Sequence, residues 1–250
     1  MIDLKIKEHI AILEFDNPPM NLICEEMLNV LEEKLNHLFQ KDIEIAILTG
    51  KGDAFIAGAD INEMKEMSPE EAKSFSRKGQ KIFDKLRKST FPVIGAINGY
   101  ALGGGLELAL NCDILIASDE ALFGEPEVKL GIIPAFGGTY NLAEAVGTSR
   151  AKELIFTGKK IDAETAEKWG LINMVVPHES LMEEARNMAQ NIASNSSNAI
   201  GKAKMVIQDG KLKKREEALE LESDKFSECF RSEDSQEGMQ AFLEKREPDF

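Results

Sequence analysis

A run of three glycines followed by a glutamate is the first chemically suggestive feature of the sequence. The segment GYALGGGLELAL places Gly103, Gly104 and Gly105 between an apolar, strand-like run and a predicted helix, with Glu107 in the first helical turn. The first N–H groups of a helix have no intrahelical acceptor, and the helix dipole favours negative charge there. Because glycine has no side chain, a ligand can approach this backbone closely. The segment therefore predicts a site for an oxygen atom that becomes negative, although tight packing of helix on strand would also explain the glycines.

Carboxylates form the second chemical feature. Glu107 is the only charged residue of its apolar segment, and burial would raise its pKa toward the range useful for acid–base catalysis. Glu125 and Glu127 flank Pro126 in the segment FGEPEV. A helix with one solvent-facing glutamate and two exposed turn residues would account for the same letters, so the residues alone leave both interpretations open.

A third loop of small residues follows the strand-like run AFIAGAD. Gly58 and Ala59 leave their backbone N–H groups accessible to a ligand, while Asp60 has the residue type of a helix N-cap. As an isolated signal this loop carries little information about function.

The elements that must position these residues are predicted from hydrophobic periodicity. Alternating runs at Leu4–Lys7 and Ile10–Phe15 predict a strand pair with its turn near Glu8 and His9. A helix over residues 24–40 is predicted from the apolar face Met27, Leu28, Leu31, Leu35 and Leu38. A second helix begins after Ser68, with Pro69 and Glu71 completing its N-terminal signals, and its predicted apolar face is Ala72, Phe75, Ile82, Phe83 and Leu86.

Strands alternate with helices over the first 120 residues, which predicts an α/β fold with largely parallel strands. Ligands bind such folds at the loops that follow the strands. From about Ala143 onward the pattern becomes mostly helical, which indicates a helical tail packed on the core or on a neighbouring subunit.

Composition excludes several classes of function. The 250 residues carry a net charge of −14, so nucleic acid is a poor default partner. The closest basic run, GKLKKREEALE, is countered at once by its own glutamates, and a solvated helix face explains it better than an RNA-binding surface. No apolar run is long enough to span a bilayer, and the N-terminus resembles neither a signal nor a transit peptide, so we expect a cytoplasmic protein with no membrane partner.

Cysteine and histidine usage gives no sign of a metal site. Cys24, Cys112 and Cys229 lie far apart, without the spacing of zinc ligands. The three histidines, His9, His37 and His178, lie outside every motif, so a Ser-His-Asp hydrolase has no support.

Taken together and in this order, four segments closely resemble the crotonase (enoyl-CoA hydratase/isomerase) superfamily, and within it the enoyl-CoA hydratases. These segments are AGADINEM, NGYALGGGLELALNCDILIAS, FGEPEVKLGIIPAFGGT and the C-terminal FRSEDSQEGMQAFLEKR. The resemblance begins at EFDNPPMN and covers almost the whole chain. It implies a crotonase-like spiral of ββα units over residues 1–195. It also implies a helical C-terminal region over residues 196–250 that helps to form a homotrimer or a homohexamer.

The resemblance also implies roles for individual residues. The backbone N–H groups of Ala59 and Gly104 would form an oxyanion hole for a thioester carbonyl, and Glu107 and Glu127 would be the catalytic carboxylates. Glu125 would be a bystander that points elsewhere. Further residues expected to contact the acyl-CoA substrate are Ala57, Gly58, Asp60, Ile61, Gly103, Phe242 and Lys245.

The implied reaction is the addition of water to a trans-2-enoyl-CoA, giving a 3-hydroxyacyl-CoA. Glu107 would orient and activate the water, and Glu127 would deliver a proton to the α-carbon. Coenzyme A is part of the substrate, and neither a separate cofactor nor a metal is expected. The alternative is a double-bond isomerase, which needs only one carboxylate. A CoA-ester hydrolase or dehalogenase is a weaker alternative, because such relatives usually have an Asp or another group in place of these glutamates.

Three residues at two places depart from the family pattern. Tyr140 and Asn141 stand where many hydratases have a Gln-Arg pair near the active-site wall, and Asn62 stands where several relatives have a lysine near the coenzyme. The first departure bears on acyl-chain preference or packing, and the second on a phosphate contact.

Overall fold

The structure is a computed structural model that describes residues 1–250, with ten strands in two sheets. The strands are β1 (Ile2–Lys7), β2 (Ile10–Phe15), β3 (Ile45–Gly50), β4 (Ala54–Ile56), β5 (Val93–Ile97), β6 (Tyr100–Leu102), β7 (Ile114–Ser118), β8 (Leu122–Gly124), β9 (Lys160–Asp162) and β10 (Met174–Val176). One sheet has the order β1-β2-β3-β5-β7-β10 and the other β4-β6-β8-β9.

Eleven α-helices and two short 3₁₀ helices connect and cover these strands. The α-helices are α1 (Glu25–Leu38), α2 (Ile61–Met64), α3 (Pro69–Arg87), α4 (Gly104–Ala109), α5 (Gly138–Val146), α6 (Thr148–Thr157), α7 (Ala163–Trp169), α8 (Leu181–Ala193), α9 (Ser197–Gly210), α10 (Arg215–Cys229) and α11 (Glu233–Glu244). The 3₁₀ helices are Glu127–Leu130 and His178–Ser180.

Successive chain segments supply one strand to each sheet in turn. The pairs β3 and β4, β5 and β6, and β7 and β8 each place their first strand in the larger sheet and their second in the smaller one. Strands β2, β3, β5, β7 and β10 pair in parallel, as do β4, β6 and β8. This repetition is the expected spiral of ββα units, and the prediction of an α/β fold with largely parallel strands is confirmed.

Side-chain alternation explains why the larger sheet is buried on both faces. In β3, Ala46 and Leu48 belong to the main core, whereas Ile45 and Ile47 lie on the opposite face. Helix α8 packs on that second face through residues such as Ala185. A parallel strand covered on both sides reads as an unbroken apolar run, which is how IAILTG appears in the sequence.

The apolar face of α1 and the N-terminal signals of α3 agree with the predictions. All five apolar residues of the predicted α1 face are buried, and the Cys24 side chain caps this helix. Ser68 and Glu71 form the complete capping box of α3. Of the predicted apolar face of α3, Phe75, Ile82, Phe83 and Leu86 are buried but Ala72 is exposed. Ala72 lines a cavity instead, as described below.

Beyond residue 143 the chain is mostly helical, as predicted, but it also contains the short strands β9 and β10, which periodicity did not reveal. Three residues are too few to establish an alternating pattern, so pairing with β8 and β7 determines them. The predicted boundary at residue 195 falls between α8 and α9, and the division into two regions stays a prediction. No helix of the structure combines the length and apolarity needed to cross a membrane.

Candidate active site

The three loops singled out in the sequence meet at one cavity of about 660 Å³. Twenty residues line it, of which 13 are hydrophobic. Most of the residues predicted from the motifs are among them: Ala57, Gly58, Ala59, Ile61, Gly103, Gly104, Glu107 and Glu127. An apolar cavity with a few polar groups at one place is the usual form of a small-molecule site.

Each glycine of the triplet is required by a different neighbour. A side chain at Gly103, whose φ is +51°, would overlap the Glu127 carboxylate, and one at Gly104 would lie 2.8 Å from Ile23 Cδ1. A Cβ at Gly105 would collide with the Ile56 carbonyl oxygen. Gly105 therefore permits the tight packing of helix on strand, and Gly103 makes room for the Glu127 carboxylate.

The two residues whose backbone N–H groups are predicted to form an oxyanion hole, Ala59 and Gly104, both line the cavity. Gly104 is the first residue of α4, so its N–H has no acceptor within the helix. Around Ala59, the loop is held by Ile23 N–H donating to the Gly58 oxygen and by Asp60 N–H donating to the Ile23 oxygen. Neither bond uses the Ala59 N–H, so both amides remain for a ligand at the cavity.

Glu107 is buried in the first turn of α4, with 1% of its surface exposed. Its Oε1 accepts hydrogen bonds from the Phe136 N–H at 2.6 Å and the Gly138 N–H at 2.7 Å. Burial raises the pKa of Glu107 to about 7, with a further increase from Glu127, while these backbone donors oppose the increase. The carboxyl group is thus oriented by the backbone and titrates in the range where it can exchange protons at neutral pH.

Glu127 begins the 3₁₀ helix after Pro126 and lines the same cavity. Its carboxylate lies against the Gly103 backbone, and its Oε2 is buried without a hydrogen-bond donor. Burial raises its pKa as well. Glu107 and Glu127 are therefore brought together, as the resemblance implied.

The expectation that Glu125 points away from the site is wrong. Glu125 is fully buried, and one oxygen from each of Glu107, Glu125 and Glu127 lies within 4.8 Å of the others. Residues two apart in an extended strand share a face. Residues on either side of a proline turn need not do so, and therefore the spacing of Glu125 and Glu127 did not predict their directions. Strand β8 ends at Gly124, Pro126 has φ −84° and ψ 6°, and the carboxylates on both sides of this proline lie near Glu107.

Three further predicted contacts lie outside the cavity wall. Asp60 caps α2 by accepting a hydrogen bond from the Asn62 N–H, so the helix-capping interpretation of this residue describes its contact here. Phe242 is 82% exposed on α11, and Lys245 is the exposed C-cap of that helix. Within one chain the structure does not bring Phe242 and Lys245 to the carboxylates, and their contact with coenzyme A stays a prediction.

The departures from the family pattern also lie outside the main cavity. Tyr140 and Asn141 line a separate, polar depression together with Arg77 and Arg87. Phe136 borders both the main cavity and this depression. The Tyr140-Asn141 pair is thus one residue layer from the site, and Asn62 is exposed at the start of α2.

Sequence reasoning missed the donors to Glu107 and most of the apolar wall. Phe136 and Gly138 are distant in sequence and use backbone N–H groups, which leave no residue-type signal. The segment PAFGGT, which contains both residues and is part of the family resemblance, was the one signal in the sequence that could have pointed to these donors. The wall also includes Met64, Met67, Ala72, Phe75 and Ile133.

The cluster of Glu107, Glu125 and Glu127 is also the one group whose geometry could hold a metal ion. A hard cation would take carboxylate oxygens. Here, however, Glu107 Oε1 already accepts two backbone hydrogen bonds, so fewer carboxylate oxygens are available to bind a cation. The expectation that no metal is needed stays a prediction.

Comparison with known proteins agrees with this geometry. The family model described as "Enoyl-CoA hydratase/isomerase" matches residues 5–250. The chain is 44% identical over 241 residues to the short-chain-enoyl-CoA hydratase of Clostridium acetobutylicum, covering 95% of this chain and 92% of that protein. It is 41% identical over 252 residues to the crotonyl-CoA hydratase of Syntrophomonas wolfei, covering 100% of this chain and 97% of that protein.

Solved structures show the same likeness in three dimensions. The crystal structure of the enoyl-CoA hydratase from Bacillus anthracis superposes with a TM-score of 0.96 at 36% identity, covering 100% of this chain and 98% of that one. An enoyl-CoA hydratase structure from Thermoplasma volcanium gives a TM-score of 0.91 at 32% identity, covering 96% of each chain. With a cavity that unites two amide donors and buried glutamates, the chain belongs to the enoyl-CoA hydratase/isomerase family of the crotonase superfamily.

Proposed function

We propose that this chain is an enoyl-CoA hydratase that adds water across the trans-2 double bond of an enoyl-CoA to give a 3-hydroxyacyl-CoA. The observation that carries the proposal is the meeting of Glu107 and Glu127 at one cavity with the free amides of Ala59 and Gly104. Two relatives that are more than 40% identical over nearly the full chain are named as hydratases of short-chain enoyl-CoA and crotonyl-CoA. Their names make crotonyl-CoA the first substrate to test.

In the proposed mechanism, the thioester oxygen accepts hydrogen bonds from the Ala59 and Gly104 N–H groups. Water attack at the β-carbon places negative charge on that oxygen, and each oriented donor contributes a few kcal/mol of transition-state stabilisation. Ionised Glu107 takes one proton from the attacking water, and protonated Glu127 gives one to the α-carbon. The proton on Glu107 then returns to Glu127 through water, which restores the starting state.

The test is the loss of ultraviolet absorbance of crotonyl-CoA with wild type and with Glu107→Gln and Glu127→Gln. We expect rapid hydration by wild type and loss of at least about 100-fold in kcat in each variant, since positioned acid–base groups contribute about 10²- to 10⁴-fold. Glu120→Gln, which changes an exposed glutamate, is the matched control. Conversion of a 3-enoyl-CoA without hydration would instead identify an isomerase, for which one of the two carboxylates would suffice.

We also propose that the chain assembles as a homotrimer or homohexamer through its C-terminal helices. The support is a set of exposed apolar side chains on and beside α10 and α11, namely Leu219, Phe226, Phe230, Met239, Phe242 and Leu243. Large exposed apolar surfaces mark contact sites. Light scattering of the purified protein tests this proposal, and a monomer at micromolar concentration would contradict it.

The proposed contact of Lys245 with coenzyme A needs a separate test. A lysine near the phosphates would supply local positive charge in an otherwise acidic protein. Lys245→Gln is expected to raise KM for crotonyl-CoA with little change in kcat, whereas Lys211→Gln, at another exposed lysine, serves as the control.

A further inference from the structure

We propose that Glu125 is a positioning residue of this site, a neutral carboxyl group that donates a hydrogen bond to Glu127 and stabilises Glu127 when that residue becomes charged. The proposal rests on the proposed function, in which Glu127 gives a proton to the substrate.

The first evidence is a set of three buried oxygens that have no donor. Both carboxylate oxygens of Glu125 and Oε2 of Glu127 are buried without any hydrogen-bond partner. A buried carboxylate without donors is costly, whereas one proton on Glu125 allows a hydrogen bond to the neighbouring Glu127 side chain. A single proton therefore satisfies oxygens on both side chains, as in other closely spaced carboxyl pairs.

The second evidence is the absence of a cation that could hold Glu125 in its ionised form. The charged groups that act on Glu125 are Glu107 of α4 and Glu127 of the following turn, and both oppose its ionisation. Burial and these two neighbours raise the pKa of Glu125 well above its ordinary value.

Basic residues on the elements packed around β8 are directed elsewhere. Lys129 of the 3₁₀ helix lies against Gly158, and Lys160 of β9 lies over the Tyr100 ring. Lys159 pairs with Glu153. At its α5 side, Glu125 lies beside Gly138, where an added Cβ would lie 2.8 Å from Glu125 Oε1.

The consequence for the reaction concerns the moment at which Glu127 loses its proton. When Glu127 transfers that proton to the α-carbon, it becomes a buried carboxylate. The O–H of Glu125 then donates to an anion, and hydrogen bonds to charged groups are about twice as strong as neutral ones. The proton of Glu125 stays on Glu125 throughout, so the proton balance of the hydration is unchanged. Glu125 thus lowers the cost of charge that develops only during turnover.

The kinetic test compares two substitutions at Glu125. Glu125→Gln keeps a neutral group of the same shape with a donor, whereas Glu125→Leu removes the donor. We expect Glu125→Leu to lower kcat about 10- to 100-fold with little change in KM, the range of a hydrogen bond to a charged group. Glu125→Gln is expected to recover kcat to within about fivefold of wild type, since an amide N–H is a weaker donor than a carboxyl O–H.

Two kinetic outcomes would overturn the proposal. If Glu125→Gln were as impaired as Glu125→Leu, the group would act as a carboxylate or only fill space. If Glu125→Leu kept wild-type kcat, Glu125 would have no role in turnover. Circular dichroism and size-exclusion chromatography establish that each variant folds, and Glu120→Gln controls for the loss of a surface carboxylate.

A measurement without substrate separates this proposal from the proposed function. At pH 8, where Glu107 with a pKa of about 7 is mostly ionised, infrared spectra of wild type minus Glu125→Gln should show the carbonyl band of a protonated carboxyl group. Absence of that band would overturn the neutral state of Glu125 even in an active hydratase. Its presence in a protein that hydrates no enoyl-CoA would overturn the proposed function and leave the neutral Glu125 standing.

Discussion

The N–H of Gly138 donates a hydrogen bond of 2.7 Å to Oε1 of Glu107, although 31 residues separate them in sequence. The Phe136 N–H donates to the same oxygen at 2.6 Å, so the start of α5 orients the carboxyl group of α4. Neither bond uses Oε2 of Glu107, and Glu107 lines the cavity. The two backbone donors hold the carboxyl group in one orientation, which the proposed mechanism uses when Glu107 takes a proton from water.

The pH dependence of hydration should report the ionisation of Glu107. Because burial raises the pKa of Glu107 to about 7, the basic form is lost as the pH falls below about 7. We therefore expect kcat/KM for crotonyl-CoA to fall about tenfold per pH unit below pH 7, with the midpoint near 7. An acid limb with its midpoint near 4.5, the ordinary value for glutamate, would contradict this assignment.

The same pKa shift predicts how stability changes with pH. The native state holds a proton on Glu107 that the unfolded chain releases above pH 4.5, so the contribution of Glu107 lowers the unfolding free energy as the pH rises from 4.5 to about 7. A shift of this size corresponds to about 3 kcal/mol. Glu107→Gln should therefore be more stable than wild type at pH 8 and about equal to it at pH 4.5. Urea denaturation at both pH values measures the difference, and equal stability at pH 8 would contradict the prediction.

Gly138→Ala tests the contact between α5 and the carboxylates. The added Cβ would lie 2.8 Å from Glu125 Oε1 and 3.0 Å from Glu107 Oε1, so one of these side chains must move. Displacement of a catalytic group by about 1 Å can cost about 100-fold in rate, and we expect a loss of about 10- to 100-fold in kcat. Gly210→Ala is the matched control, because its Cβ would meet only Ala218 at an ordinary 3.6 Å. Unchanged kcat in Gly138→Ala would show that Glu107 needs no fixed position.

Local signals and distant contacts differ in how well the sequence predicts them. The capping box at Ser68 and the apolar face of α1 depend on residues of a single helix that are close in sequence. The residue types alone are therefore enough to predict them. Glu125 and Glu127 have the same side chain on either side of Pro126, and their directions depend on the proline backbone and on where α4 lies. The backbone donors to Glu107 have no side-chain signature at all, so only the folded chain reveals them.

Metal removal should leave the enzyme active. The proposed mechanism uses only Glu107, Glu127 and water for proton transfer, and it assigns oxyanion stabilisation to the backbone amides of Ala59 and Gly104. Dialysis against EDTA is therefore expected to change kcat for crotonyl-CoA less than twofold. A larger loss that Mg²⁺ or Mn²⁺ restores would show that the carboxylate cluster holds a cation.

Lys204 should be a main determinant of the stability of the C-terminal region. Its buried ammonium group donates to Asp113 Oδ2 at 2.7 Å, to the Ser89 hydroxyl at 2.8 Å and to the Phe91 carbonyl at 2.9 Å. These bonds tie α9 to the loops that precede β5 and β7. Lys204→Met would leave Asp113 as a largely buried carboxylate without its cation, and loss of one partner of a buried pair costs about 3–5 kcal/mol.

Urea denaturation at pH 7 measures this cost, with Lys211→Met at an exposed position of the same region as the control. A double variant, Lys204→Met with Asp113→Asn, removes the uncompensated charge and should recover part of the loss. Such recovery would attribute the destabilisation to the unpaired charge of the largely buried Asp113 and not to a cavity at residue 204. If Lys204→Met were as stable as wild type, the hydrogen bonds of Lys204 to Ser89 and Phe91 would be replaceable by water, and α9 would be held by its other contacts.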